Sequence, residues 1–157
     1  MVIGNLDGSI ILIKICIICH GNICRCPMAE YLLKYKVEEL GIRDKFLIVS
    51  RATSYEEIGN DMHYGTKDIL IKKNIPFNKH RATRIDSSDY IKYDYFICMD
   101  DNNIRNTLRI FGNDKDNKVI KLNEEDVKDP WYTGNFIETY NDINSGLDKL
   151  IKKFIKL

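Results

Sequence analysis

Cys19 and Arg25, with five residues between them, have the types and spacing to act on a bound anion. The stretch reads Cys19-His20-Gly21-Asn22-Ile23-Cys24-Arg25-Cys26-Pro27. A thiolate, not a thiol, is the nucleophile, so a cysteine becomes reactive where positive charge and N–H dipoles favour its ionised form. Arg25 brings a fixed charge and a planar fork that matches two phosphate oxygens. A third group is needed to protonate a departing oxygen. Asp129, in Val127-Lys128-Asp129-Pro130-Trp131-Tyr132, is the candidate. Pro130 stiffens that segment and holds Asp129 out of helical geometry. The Asp-Pro pair alone would suit a surface turn; the cysteine stretch upstream and the two aromatics that follow favour a catalytic role.

These groups meet only if the fold gathers them. The apolar run from Ile10 to Ile18 predicts a buried strand ending at Cys19. Pro27 suits the first turn of a helix, where its missing N–H would be unpaired in any case. Gly21 and Asn22, both tolerant of positive φ, make the tight loop between the two. Strand, tight loop and helix N-terminus together form an anion cradle. The expected phosphate-binding residues are therefore His20, Gly21, Asn22, Ile23, Cys24, Arg25 and Cys26.

Downstream, Met28, Ala29, Leu32, Leu33, Val37 and Leu40 recur at helical spacing, and Gly41 marks a stop. Phe46 to Ser50 predicts a second strand, and the turn-rich stretch from Arg51 to Asn60 follows it. Asn60 or Asp61 is the expected cap of a helix reaching Lys73, with Met62, Ile69 and Leu70 inward. Residues 77–93 predict an extended segment and a turn at Ser87-Ser88-Asp89. Tyr95 to Met99 predicts a third strand. Asp100 or Asp101 then caps a helix with Ile104, Leu108 and Phe111 on one face, stopped by Gly112. Val119 to Leu122 is the last strand. Asn135 with Glu138 opens a final helix whose apolar stripe includes Phe136, Ile143, Leu147 and Phe154. Strands alternating with helices imply an α/β fold: one four-stranded, mostly parallel, twisted sheet with helices on both faces. Residues 1–9 are expected to form a loose extension and 10–157 a single domain.

From Cys19 to Pro27 the sequence resembles the low-molecular-weight protein tyrosine phosphatases, whose loop reads Cys-x-Gly-Asn-x-Cys-Arg-Ser-Pro. Cys26 stands where that family has serine. The resemblance runs over nearly all of the chain beyond the first nine residues. It implies a cysteine-dependent phosphatase of the low-molecular-weight acid phosphatase type, acting on phosphotyrosine proteins and small aryl phosphates through a phosphocysteine. Inorganic phosphate is the product, and neither cofactor nor metal is needed. Cys19 would attack phosphorus, Arg25 and the loop amides would hold the equatorial oxygens, and Asp129, in a loop resembling Asp-Pro-Tyr-Tyr, would donate the proton and then activate water. Trp131 and Tyr132 would form one wall of an aryl slot, with Tyr55 or Glu56 facing it. Asn22, Ser50, His80 and residue 26 would brace the loop, with Asn22 left-handed and tied to Ser50. The family's serine donates a hydrogen bond toward the nucleophilic sulfur, and its second loop cysteine, here Cys24, can protect Cys19 by pairing with it. Asp100 is read as a helix cap rather than a support for Arg25, His20 as a group at the loop mouth, and His63 has no assigned role.

The chain has 157 residues, 44% hydrophobic and 30% charged, with a net charge of 24 − 23 = +1. That balance makes no bid for nucleic acid or a membrane surface. Four of the five cysteines crowd between Cys16 and Cys26, unlike a secreted disulfide framework, so a reducing cytoplasmic location is expected. Zinc would need a second Cys/His pair, but His63 and His80 stand apart. Residues 1–9 have no basic n-region, and Lys14 interrupts the apolar run, so neither a signal peptide nor a membrane span is read. Three rival functions share the loop pattern. A thiol arsenate reductase would need more redox cysteines than the one downstream, Cys98. A phosphocysteine carrier of a sugar phosphotransferase system would not need Arg25 and the Asp129 loop. A non-hydrolytic phosphotyrosine-binding relic is the third.

Overall fold

The computed structural model describes residues 12–155, so the expected extension, residues 1–9, lies outside the described residues. The chain alternates β1 (Ile13–Cys19), α1 (Arg25–Glu39), β2 (Phe46–Ala52), α2 (Tyr64–Lys72), β3 (Tyr95–Cys98), α3 (Asp101–Phe111), β4 (Val119–Lys121), α4 (Pro130–Thr133) and α5 (Phe136–Phe154). The sheet order is β2-β1-β3-β4, and every pairing is parallel. β1 is therefore central, which explains why it is apolar at every position but Lys14: Ile13, Ile15 and Ile17 pack beneath α1 and α5, while Cys16 and Ile18 face Ile85, Phe96 and Cys98 on the other side. Ligands in such sheets bind beyond the strands' C-terminal ends. Cys19 ends β1 there, paired with Ala52 of β2.

Local differences from the sequence reading have physical causes. α1 begins at Arg25, so Pro27 is its third residue, still within the turn whose N–H groups lack helical partners. α2 starts at Tyr64 and is capped by His63 rather than by Asn60 or Asp61. Asp61 is taken up elsewhere, by Lys67 at 2.6 Å and the His80 N–H at 3.0 Å. On α3 the fully buried positions are Asn103 and Thr107, with Ile104, Leu108 and Phe111 only partly covered. Asn103 turns inward because its side-chain oxygen accepts from the N–H groups of Met99 and Asp100. Asn135 caps α5 through the Glu138 N–H at 3.0 Å, and the Glu138 carboxylate meets the Asn135 amide, not its backbone.

Candidate active site

The loop after β1 is held by one asparagine. Asn22 has φ 61°, a left-handed backbone that asparagine tolerates better than most residues. It is fully buried, and each of its polar groups is matched. Its Nδ2 donates to Ser50 Oγ at 2.9 Å and to Cys26 Sγ at 3.0 Å. Its Oδ1 accepts from the Thr83 N–H at 2.9 Å, and its carbonyl accepts from His80 Nε2 at 2.6 Å. Ser50 in turn donates to Glu30 at 2.6 Å, and Glu30 pairs with Lys34. Buried polar networks are rigid only when every member is satisfied, and here the chain of bonds runs unbroken from Lys34 to the loop.

Arg25 enters from the first turn of α1 and is 2% exposed. Its Nη1 donates to Asp100 Oδ2 at 2.6 Å and to the Val127 carbonyl at 2.8 Å, and its Nη2 lies 3.5 Å from Asp129 Oδ2. Asp100 therefore does two jobs: Oδ1 caps α3 by accepting from the Asn103 N–H at 2.7 Å, while Oδ2 fixes the guanidinium. The reading of Asp100 as a cap alone is corrected here.

The sulfurs of Cys19 and Cys26 are 2.9 Å apart, and both side chains are buried. Burial pushes the Cys19 thiol up, but the Cys26 thiol, the Arg25 charge and the N–H groups of Cys26 and Asn22 outweigh it, leaving the group at about 7. Burial and the neighbouring Cys19 hold Cys26 well above the ordinary thiol range. Cys26 thus keeps its proton and donates it in a hydrogen bond when Cys19 ionises, with the Arg51 carbonyl at 3.5 Å as an alternative acceptor. Burial pushes Cys24 and Cys98 up to about 12, so neither competes as a thiolate.

Asp129 stands at the N-cap of α4, its Oδ1 accepting from the Trp131 N–H at 3.1 Å. Behind it, Thr139 Oγ1 donates to the Lys128 carbonyl at 3.2 Å and ties the segment to α5. A single cleft brings together Cys19, the loop, Arg25, Asp129 and, on one wall, Trp131 and Tyr132. Glu56 and Glu57 also line the cleft, with Glu56 3.1 Å from His20. Tyr55 does not line the cleft. It is 70% exposed, and its ring sits 4.2 Å from the Arg84 guanidinium. Of the two residues that the sequence left open, Tyr55 packs on that cation and Glu56 lines the cleft. The reading also missed Glu30, Thr83 and the Val127 carbonyl as partners of the site. Among the described residues, no three His, Cys, Asp or Glu side chains are grouped to hold a metal ion.

Comparisons with known proteins follow the same lines. The family model for low molecular weight phosphotyrosine protein phosphatase matches residues 14–156. The low molecular weight protein-tyrosine-phosphatase PtpA of Staphylococcus saprophyticus is 37% identical over 151 residues, covering 92% of this chain and 96% of that protein. Among solved structures, the low molecular weight protein tyrosine phosphatase SP-PTP of Streptococcus pyogenes superposes with a TM-score of 0.86 at 36% identity, covering 92% of this chain and 95% of that one. YfkJ of Bacillus subtilis gives 0.87 at 32% identity, covering 90% and 94%. With a cysteine and a buried arginine sharing one loop at the end of the central strand, and with this likeness along almost its whole length, the chain belongs to the low molecular weight phosphotyrosine protein phosphatase family.

Proposed function

We propose that the protein hydrolyses phosphotyrosine in proteins, and small aryl phosphates, through a phosphocysteine on Cys19. The observation that carries this is the position of Arg25, buried and clamped by Asp100 and Val127, in one cleft with Cys19 and Asp129. The Cys19 thiolate attacks phosphorus, the Arg25 fork and loop N–H groups take the equatorial oxygens, and Asp129 protonates the departing phenoxide. Asp129 then accepts a proton from water, which attacks the phosphocysteine and releases inorganic phosphate and the Cys19 thiolate. Cys98, the downstream cysteine an arsenate reductase would need, is fully buried with its sulfur toward Thr107, which supports hydrolysis instead. Four of the five cysteines lie between Cys16 and Cys26 rather than spread out as a secreted disulfide framework would be, which supports a reducing, cytoplasmic setting. Among the described residues no helix is long and apolar enough to cross a membrane. The direct test is hydrolysis of p-nitrophenyl phosphate and a phosphotyrosyl peptide in the presence of EDTA. Thioredoxin-coupled arsenate turnover without phosphate release would overturn the reading.

The serine-to-cysteine departure at position 26 has a measurable consequence. A thiol is a weaker donor than a hydroxyl, and a hydrogen bond to a charged group is worth about 1.5–3 kcal/mol. Cys26→Ser is expected to lower the alkylation pKa of Cys19 from about 7, by up to about one unit. Because Cys19 leaves as a thiolate when phosphocysteine is hydrolysed, that step should quicken several-fold, roughly what ~1 kcal/mol gives. Iodoacetamide inactivation against pH and single-turnover phosphate release check the two halves. If both stay unchanged, the loop amides and Arg25 carry the stabilisation without residue 26.

Redox protection is a further proposal about the same loop. Peroxide converts the Cys19 thiolate to a sulfenic acid, which condenses with a neighbouring thiol to a disulfide and water. The family pairs the nucleophile with Cys24; here the sulfur hydrogen-bonded to Cys19 belongs to Cys26, at 2.9 Å. Inactivation by peroxide is expected to be reversed by dithiothreitol, and Cys26→Ala to make it less reversible than Cys24→Ala does. A peptide map with over-oxidised Cys19 and no disulfide to either residue would refute the protection.

A further inference from the structure

Trp131 is the only tryptophan of the chain, and it stands 56% exposed on the wall of the cleft. Its own helix does little to fix it, since α4 has four residues and buries only Pro130. On the body side the indole meets His63, with ring centroids 5.7 Å apart and planes nearly perpendicular at 80°. Such edge-to-face contacts are favourable beyond the area they bury.

The His63 ring is itself anchored. Its Nδ1 accepts from the Gly65 N–H at 3.0 Å, capping α2. Its ring stacks on Phe136 of α5, with centroids 5.1 Å apart and planes at 19°. Phe136 reaches that place because Gly65 has no side chain: a Cβ there would lie 2.5 Å from the phenyl ring. The main-chain N–H of His63 donates to the Ile23 carbonyl of the phosphate loop at 2.9 Å. One residue is thus joined by its backbone to the loop that holds the nucleophile and by its ring to the aromatic that follows the proton donor.

We propose that His63 is a positioning residue that sets Trp131, and so the width of the aryl slot, against the phosphate loop. Its kinetic consequence rests on the phosphatase reading above. Without the ring the indole is free to swing, and a substrate must order it on binding, which raises KM. Cys19, Arg25 and Asp129 keep their own partners, so kcat for an easily expelled leaving group changes less. An edge-to-face contact corresponds to about threefold to tenfold in KM.

Two substitutions separate the ring from the cap. His63→Asn keeps a side-chain acceptor for the Gly65 N–H, and asparagine is a strong N-cap, but it has no ring. His63→Phe keeps a ring and loses the acceptor. Acrylamide quenching of tryptophan emission reports on Trp131 alone, and a thermal melt establishes that each variant is folded. The expected result is stronger quenching in His63→Asn with KM for p-nitrophenyl phosphate raised about threefold to tenfold. His63→Phe should stay near wild type in both readouts. An Asn variant that matches wild type in quenching and KM overturns the inference, and a loss confined to His63→Phe then assigns the effect to the helix cap. An equal loss in both variants also overturns it, because a ring alone would not be what holds the indole. Wild-type protein that turns over no aryl phosphate overturns the phosphatase reading and this inference together, whereas turnover insensitive to His63 overturns this inference alone.

Discussion

Cys19→Ser is expected to abolish turnover, by on the order of 10⁴-fold or more in kcat, while inorganic phosphate still binds. The loop brings a thiol to about 7, so at neutral pH a large share of Cys19 is already thiolate. A hydroxyl titrates far higher and needs a base to take its proton at the moment of attack. None stands at the sulfur: its contacts are the protonated Cys26 thiol, the loop N–H groups and the Arg25 charge. Phosphate affinity should survive because the cradle is shaped by Asn22, Ser50, Thr83 and His80, not by the nucleophile. Calorimetric phosphate binding beside steady-state turnover of p-nitrophenyl phosphate checks the split. Retention of more than a few per cent of activity would place the nucleophile elsewhere. Loss of phosphate binding in a folded variant would mean that Cys19 shapes the loop as well as attacking.

What could be read from the sequence was local. Asn22 in a left-handed turn, Gly112 at a helix end and Asp100 at a helix start are set by their own backbone and near neighbours. The alternation of strands and helices likewise implied the parallel sheet, because parallel neighbours need crossovers. What escaped were second partners brought by tertiary register. The Ser50 hydroxyl could be placed near Asn22 from the resemblance, but its onward bond to Glu30 depends on how α1 lies over β2. Asp100 has two oxygens, and only the one used locally was legible. The Tyr55 and Glu56 ambiguity had a different source, since an irregular loop has no period to tell which side chain faces in. His63 was passed over because its signal, a ring meeting both Phe136 and Trp131, joins the start of α2 to α4 and α5, far along the sequence.

Asp129→Ala is expected to reduce kcat by about 10²–10³-fold with phosphotyrosine or phenyl phosphate, and far less with p-nitrophenyl phosphate, whose leaving group departs readily as an anion. The reason is that a proton donor helps in proportion to how poor the leaving group is. The alanine variant has a second defect, because Asp129 also caps α4 through the Trp131 N–H. Losing a cap costs about 0.5–2 kcal/mol of local stability, and α4 carries the slot's aromatic wall. Asp129→Asn separates the two roles. Asparagine caps as well as aspartate does but has no carboxyl proton to give. If Asp129 acts as the acid, Ala and Asn should show the same steep dependence of kcat on leaving-group pKa, with KM nearer wild type in the Asn variant. Substrates of graded leaving-group pKa provide the measurement. A loss equal across the series would remove Asp129 from the chemistry, and recovery of kcat in Asn alone would make its function the cap of α4.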